Sequence, residues 1–572
     1  MPALCFNIPF IASKPRFAAL EVWFTVLLSA LVRFVFASLA SAGLVTAAPL
    51  LAQAQAGPSG GAAPPVSVAL SVGEDGLIAR YRFAQPAARL HLGAPLSEAV
   101  DRLRLDGEPA RMEAGIAHCG PDCRFTEAEL TRMAPVVRGY PDYIDAGACG
   151  VWADVSAFVP LNPQTGAARA VAVTVGGRET VFDGEHPSYV AVRAPERAPV
   201  CDGAGVMAED RLGASAARMA ADYGLIFGAL AQGAPQVVIA PAGALVAGVR
   251  GVRGAAAGDD LIFLFAEPDE AAPLDAALAV LSHEMAHLWI GRRARLHPQF
   301  EQAWITEGAA EYLSLKQLLR TDMASQRFVL DQLSRHISAC LSVIGEARLL
   351  LNDSTQEGAF PYNCGTLIAV FADRAAQAAG SSFEAALADM IADPVFTAGQ
   401  ASGLDYAAGL GAHMGRAEAR VLRQDFLAPV PDKRARMLAA LKAAGLGEES
   451  RRLGATDPGY LASVAARHVL TQLCPDGGGR FWFDSGVVLE LAPACHGPAG
   501  TSELTAIDGE DPLAEPQRAL DALAASCGPG GPLTVSLGEE SLELNCGAAL
   551  PEYFRGFALD EARALETLTG GP

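Results

Sequence analysis

His283-Glu284-Met285-Ala286-His287, followed downstream by Trp304-Ile305-Thr306-Glu307-Gly308, is a set of residues able to hold a metal ion and hydrolyse a bond beside it. Residues four apart share one face of a helix, so His283 and His287 can reach a single ion. Glu284, one position past His283, can project into the same cleft and take a proton from a water that the ion has acidified. Glu307 offers a third ligand from a second helix. Two imidazoles and one carboxylate leave a tetrahedral position open, as a catalytic zinc requires, so one Zn2+ per chain is expected. Glu311 shares the face of Glu307. It either accepts the free ring N–H of His283 or His287 and fixes the tautomer, or is an ordinary surface glutamate.

The elements around these residues fit that chemistry. Leu278, Val280, Leu281, Met285, Leu288 and Trp289 make the histidine stretch a buried helix. Such a helix seldom carries two histidines and a glutamate unless something pairs with them. Glu307 lies in a second apolar run, Ala303 to Leu319. Upstream, 207–233 reads as an Ala-rich amphipathic helix, and 237–240 and 261–265 read as short buried strands. Downstream, helices are expected over 302–320, 324–346, 362–379, 382–392, 404–426 and 432–445. Ser381 and Glu384 have the spacing of a capping box. His297, His336, His413, His468 and His496 stand alone and read as surface or core histidines. No serine sits in a nucleophile-elbow motif.

The metal-site pattern resembles the gluzincin metallopeptidases, and within them the aminopeptidase N family, over roughly residues 235–370. His283 to Gly291, with Trp289 and Gly291 after the second histidine, is similar to that family's metal helix. Trp304-Ile-Thr-Glu307-Gly308-Ala-Ala-Glu-Tyr312 is similar to its second-ligand helix. Pro361-Tyr362-Asn-Cys-Gly365 resembles its downstream Tyr-x-x-Gly segment. The resemblance implies a thermolysin-like α/β catalytic domain, and a Tyr362 hydroxyl that steadies the developing oxyanion. Taken alone, Tyr362 reads as a core aromatic at a helix start. Three departures stand out. Nineteen residues separate His287 from Glu307 where the family has eighteen, and Thr306 replaces a common Asn. The Gly-x-Met-Glu-Asn motif, whose glutamate grips the substrate's amino terminus, is missing from 248–265. Asp259 and Asp260 are the acidic residues nearest its place.

Length and texture divide the chain. A sequence of 572 residues exceeds one core. We expect a multidomain α+β protein with a signal peptide or anchor at 1–56 and a linker at 57–65. A β-domain at 66–205, the catalytic domain at 206–325 and a helical subdomain at 326–466 follow. The last part, 467–572, reads as a small β-rich domain, either PDZ-like or held by disulfides. A PDZ would tilt the resemblance toward the glycyl aminopeptidases, a sister gluzincin group. The formal charge of −21 disfavours nucleic acid and anionic membranes as partners. The N-terminus is either a cleaved export signal or an uncleaved anchor, and that anchor is the only membrane contact expected. Ten of the eleven cysteines lie beyond it, an even number that suits disulfides in an exported, periplasmic or extracellular protein. Sequence alone does not fix the pairing. Cys340 with Cys364 and Cys527 with Cys546 are candidate neighbour pairs, and Cys119 with Cys123 reads as a disulfide or loop staple rather than half of a zinc-binding knuckle, since no second half lies nearby. The expected function is an exported zinc metallopeptidase acting on peptides or proteins, aminopeptidase in kind. The rivals are an endopeptidase on the same core and a catalytically weak, zinc-containing binding or scaffold protein.

Overall fold

The computed structural model describes residues 66–570 apart from 95, 97–99, 114, 136, 139, 162–170, 176–177, 183–188, 194–199, 203–208, 231–232, 242–251, 258–259, 267–273, 297–302, 345–359, 451–457, 475–478, 484–485, 529 and 547–555. The signal or anchor, the linker, Asp259 and His297 lie outside the described residues. Among those described, no helix is long and apolar enough to cross a membrane. Pro64–Pro572 forms one compact unit.

The alternating segments near the start form a seven-stranded sheet, in the order 178–182, 171–175, 66–73, 76–87, 125–132, 101–105, 108–109. Val66, Val68, Leu70, Leu77 and Tyr81 feed one apolar core, as period-two patterning requires. Inside it, Arg132 is buried and bonded to Asp101 at 2.9 Å and to Asp142.

The site rests on a second, four-stranded sheet. Its strands are β1 (Val200–Asp202), β2 (Gln236–Pro241), β3 (Arg253–Ala257) and β4 (Leu261–Ala266), in the order β1-β2-β4-β3. The first three positions run parallel, and β3 closes the edge antiparallel to β4. Every residue of β4 is buried, which explains its unbroken apolar run: both faces are covered. Ile262 and Leu264 pack toward the helices, while Phe263 and Phe265 meet Ile144 and Trp152. The Cys149–Cys201 disulfide ties the N-terminal part to β1.

Six helices matter to the site: α1 (Glu209–Phe227), α2 (Leu274–His287), α3 (Ala303–Arg320), α4 (Gln326–Val343), α5 (Phe360–Ala378) and α6 (Phe383–Ala392). They share one core with α3 at its centre. Buried Lys316 of α3 donates to Asp373 of α5 at 2.6 Å and to Glu384 of α6 at 2.7 Å, and the Tyr312 hydroxyl donates to Asp373 at 2.7 Å. Breaking such a buried pair is costly, so it fixes how the three helices register. It also corrects the expected capping box. Glu384 is drawn inward by Lys316 and Arg320, Ser382 caps α6, and Ser381 bonds His413 instead. The single helix expected over 404–426 is broken as well. Gly403–Ala412 ends before Gly415, and Arg416–Val421 runs on into a π-turn.

At the far end, five strands over 479–483, 487–491, 500–507, 532–537 and 540–545 form an antiparallel meander in sequence order. The helix Pro516–Cys527 lies between the third and fourth, and Cys474–Cys495 and Cys527–Cys546 are both bonded. The helix Pro458–Leu473 shares the core of these strands. The chain then leaves it: Gly556–Leu559 pairs with Gly447–Ser450, and Phe557, Ala564 and Leu568 join the helical core. Cys119–Cys123 and Cys340–Cys364 complete the five disulfides found.

Candidate metal centre

Helix α2 carries His283 and His287 one turn apart, and α3 crosses it with Glu307 facing both. His283 Nε2 and His287 Nε2 are 3.1 Å apart, and Glu307 Oε2 lies 3.2 and 3.3 Å from them. Bonds of about 2.0–2.1 Å to a tetrahedral zinc would set ligand atoms about 3.3 Å apart, so the three atoms fit that ion. Their outer contacts leave these atoms free for it. His283 Nδ1 donates to Glu311 Oε2 at 2.8 Å, and His287 Nδ1 points to the Ile290 carbonyl at 3.4 Å. Burial alone would lower the His283 ring, but Glu307 and Glu311 outweigh it and hold the ring well above the ordinary imidazole value. Burial would raise Glu307, yet the His287 charge and the bonds from both rings pull it far below the carboxylate range. A pocket that so favours positive charge also favours a divalent cation.

Glu284 sits on the side of α2 that faces the sheet edge. The Ala256 N–H of β3 donates to its Oε2 at 2.8 Å, and burial raises its carboxyl above the ordinary value. This contact depends on Gly254. A Cβ there would fall 2.4 Å from Glu284 Cγ and 2.8 Å from Oε1. Gly254→Ala is therefore expected to turn the glutamate away and lower kcat by up to about 100-fold. Metal analysis of the same variant should find zinc content unchanged, since no ligand touches Gly254.

Glu311 lies against His283, and the chain of contacts continues. Glu311 Oε1 accepts from His336 Nε2 of α4 at 2.9 Å, and His336 Nδ1 meets Asn363 Oδ1 of α5 at 2.8 Å. The neighbour of Asn363 is Tyr362, whose ring centre lies 5.6 Å from that of His283. The structure places His283, Glu284, His287, Glu307, Glu311 and Tyr362 around one centre and adds His336 and Asn363, which the sequence did not single out. A lone histidine in an amphipathic helix carries no spacing signal. Asp260 lies in the turn into β4, its backbone carbonyl accepting from the Gln236 N–H.

Among the described residues a second group could offer ligand atoms, His468 with Cys527 and Cys546. Its two sulfurs are bonded to each other, so neither is a thiolate, and the group is a disulfide packed against a histidine.

Residues 276–379, nearly all of α2 together with α3, α4 and α5, match the M61 glycyl aminopeptidase family. With the convergent side chains, this makes the chain a metallopeptidase, a hydrolase that is similar to the gluzincins over this region. The matching family is the sister group that a PDZ would have favoured. In fold the chain is similar to an aminopeptidase N family protein from Idiomarina loihiensis, with TM-score 0.52 and 10% identity over 88% of this chain and 100% of that one. An M1 zinc metallopeptidase from Deinococcus radiodurans aligns at 17% identity over 64% of this chain and 95% of that one, with TM-score 0.36. No curated protein matches the sequence significantly.

Proposed function

We propose that the chain is an exported peptidase that uses one Zn2+ held by His283, His287 and Glu307. Glu284 is its general base, and Tyr362 is its partner for the oxyanion. The observation that carries this is the meeting of three ligand atoms within 3.1–3.3 Å of one another, with Glu284 alongside. When bound, zinc supplies Lewis acidity, making water a better nucleophile and a carbonyl a better electrophile. Glu284 keeps Oε2 on the Ala256 N–H and takes the water's proton at Oε1, then passes it to the leaving amine. Tyr362 donates its phenolic O–H toward the carbonyl oxygen as charge builds there. Glu311 holds the His283 ring in its working tautomer.

Substrates of a peptidase are peptides, and cleavage at a free amino terminus is the first reading. A second reading, endopeptidase, draws on one observation. Among the described residues, the carboxylates at the centre already have partners: Glu284 the Ala256 N–H, Glu307 both rings, and Glu311 His283 and His336. Assaying free and N-acetylated peptides side by side tests this. An aminopeptidase spares the acetylated ones, and equal cleavage favours the endopeptidase. A zinc-loaded protein that cleaves neither is the weak binding or scaffold protein. Glu307→Ala should leave the purified protein with little zinc by metal analysis. Full zinc content in that variant would remove the carboxylate from the ligand set.

Export belongs to the same proposal, supported by the five disulfides, as does a division into β, catalytic, helical and C-terminal domains. A PDZ-like role for the last would have a peptide add to a sheet edge, and 479–483 and 540–545 are the two outer strands of this sheet among the described residues.

A further inference from the structure

We infer that His336 and Asn363 are positioning residues that link the ring of His283 to the helix carrying Tyr362, with the Cys340–Cys364 disulfide holding their two helices in register; the inference rests on the metal centre proposed above. The contacts form a closed loop. His283 Nδ1 donates to one oxygen of Glu311, and His336 Nε2 donates to the other, at 2.8 and 2.9 Å. His336 Nδ1 reaches Asn363 Oδ1 at 2.8 Å, and Asn363 is bonded to Tyr362, whose ring returns to within 5.6 Å of the His283 ring. The loop thus draws on all three helices that line the centre after α2.

A histidine that merely fills space would not need a polar atom beside each ring nitrogen. His336 is only 3% exposed, and an apolar side chain in its place would avoid the cost of burying two polar atoms. Its bonds have value only if the orientation they impose is used. What they orient is Glu311, which touches His283 and nothing that reacts. The disulfide stands at the same point. Cys340 follows His336 by one turn of α4, Cys364 is the next residue after Asn363, and their Cα atoms are 4.7 Å apart. A covalent bond and a hydrogen bond thus join α4 to α5 within one turn, at the end of α5 that bears Tyr362. A shift of α5 along α4 would stretch both and carry the phenol away from His283.

The test compares wild type with His336→Leu, His336→Gln and the Cys340→Ser/Cys364→Ser double variant. Three quantities are read on each: the zinc dissociation constant by chelator competition, kcat and KM on a peptide substrate, and Tm of the metal-free protein. His336→Leu is expected to weaken zinc binding about 10–100-fold, the usual effect of losing a ligand's outer support. Gln keeps an N–H for Glu311, so His336→Gln should recover most of that affinity. The cysteine variant should lower kcat at saturating zinc with KM little changed, and disturb zinc affinity less than His336→Leu does. Should His336→Leu fail to fold, Asn363→Leu stands in for it with the same expectation. Equal zinc affinity in wild type and His336→Leu would overturn the relay, as would a Gln variant no better than Leu. A wild type that binds no zinc at all would instead sink the metal centre, and this inference with it.

Discussion

Glu284→Gln should still bind zinc and should lose hydrolysis, with kcat down by about 100- to 10,000-fold, the range a positioned acid–base group supplies. Glutamine has nearly the shape of glutamate. Its carbonyl oxygen can accept the Ala256 N–H that Glu284 Oε2 accepts at 2.8 Å, so the side chain should stay against β3. What it cannot do is take a proton. The three proposed ligand atoms lie on other residues, so zinc content should match wild type. The two readings must move apart: metal analysis unchanged, turnover nearly gone. Retained turnover would assign the base elsewhere. Joint loss of zinc and turnover would mean that Glu284 supports the ligands themselves. The variant also separates the enzymatic reading from the scaffold reading, because a binding protein with no turnover would show no change in activity at all.

The elements that hold the site were largely legible because their signals are local. The helix bearing Glu307, expected over 302–320, runs over Ala303–Arg320. The histidine helix shows in its apolar spacing, although Leu288 and Trp289 lie past its end at His287, and β2 and β4 are short, largely apolar runs. The edge strand β3 shows no such run. Arg253–Ala257 is Gly and Ala with one Arg, a composition with little preference for strand. It is a strand because β4 offers it a ladder, and its small residues are what let Glu284 approach. The same limit hid His336. Its role exists only where α4, α3 and α5 meet, and nothing in the 25 residues from Glu311 to His336 announces that meeting. The C-terminal strands were found one by one, yet the return of 556–569 to the helical core was not, because pairing between Gly447–Ser450 and Gly556–Leu559 spans more than a hundred residues. Period and propensity find elements, while the contacts that bring distant elements together set the site.

Gly365→Ala should cost the fold roughly 3 kcal/mol, at the upper end of ordinary overpacking. The reason is a backbone contact. Helices α3 and α5 cross at Gly308 and Gly365, where a Cβ on Gly365 would lie 2.1 Å from the Trp304 carbonyl oxygen and 2.5 Å from Gly308 Cα. A Cβ on Gly308 would lie 2.1 Å from Gly365 Cα. No side chain can swing aside, so the helices themselves must part. Alanine's better helix propensity returns only about 1 kcal/mol. The net cost of about 2 kcal/mol should lower Tm by roughly 4–8 °C on the scale of a medium-sized domain. Gly224→Ala in α1 is the control, since its Cβ would meet Ala229 Cα at an ordinary 3.5 Å and the change should be neutral or stabilising. The site should suffer along with the fold. Glu307 immediately precedes one glycine and Tyr362 lies three residues before the other, so parting the helices pulls a proposed ligand and the proposed oxyanion partner away from each other. In the surviving folded fraction, kcat should drop more than KM rises. A Gly365→Ala protein that melts with wild type and turns over at the same rate would mean that the crossing is looser than the backbone distances imply, and the close fit of α3 against α5 would no longer explain how Tyr362 comes to face His283.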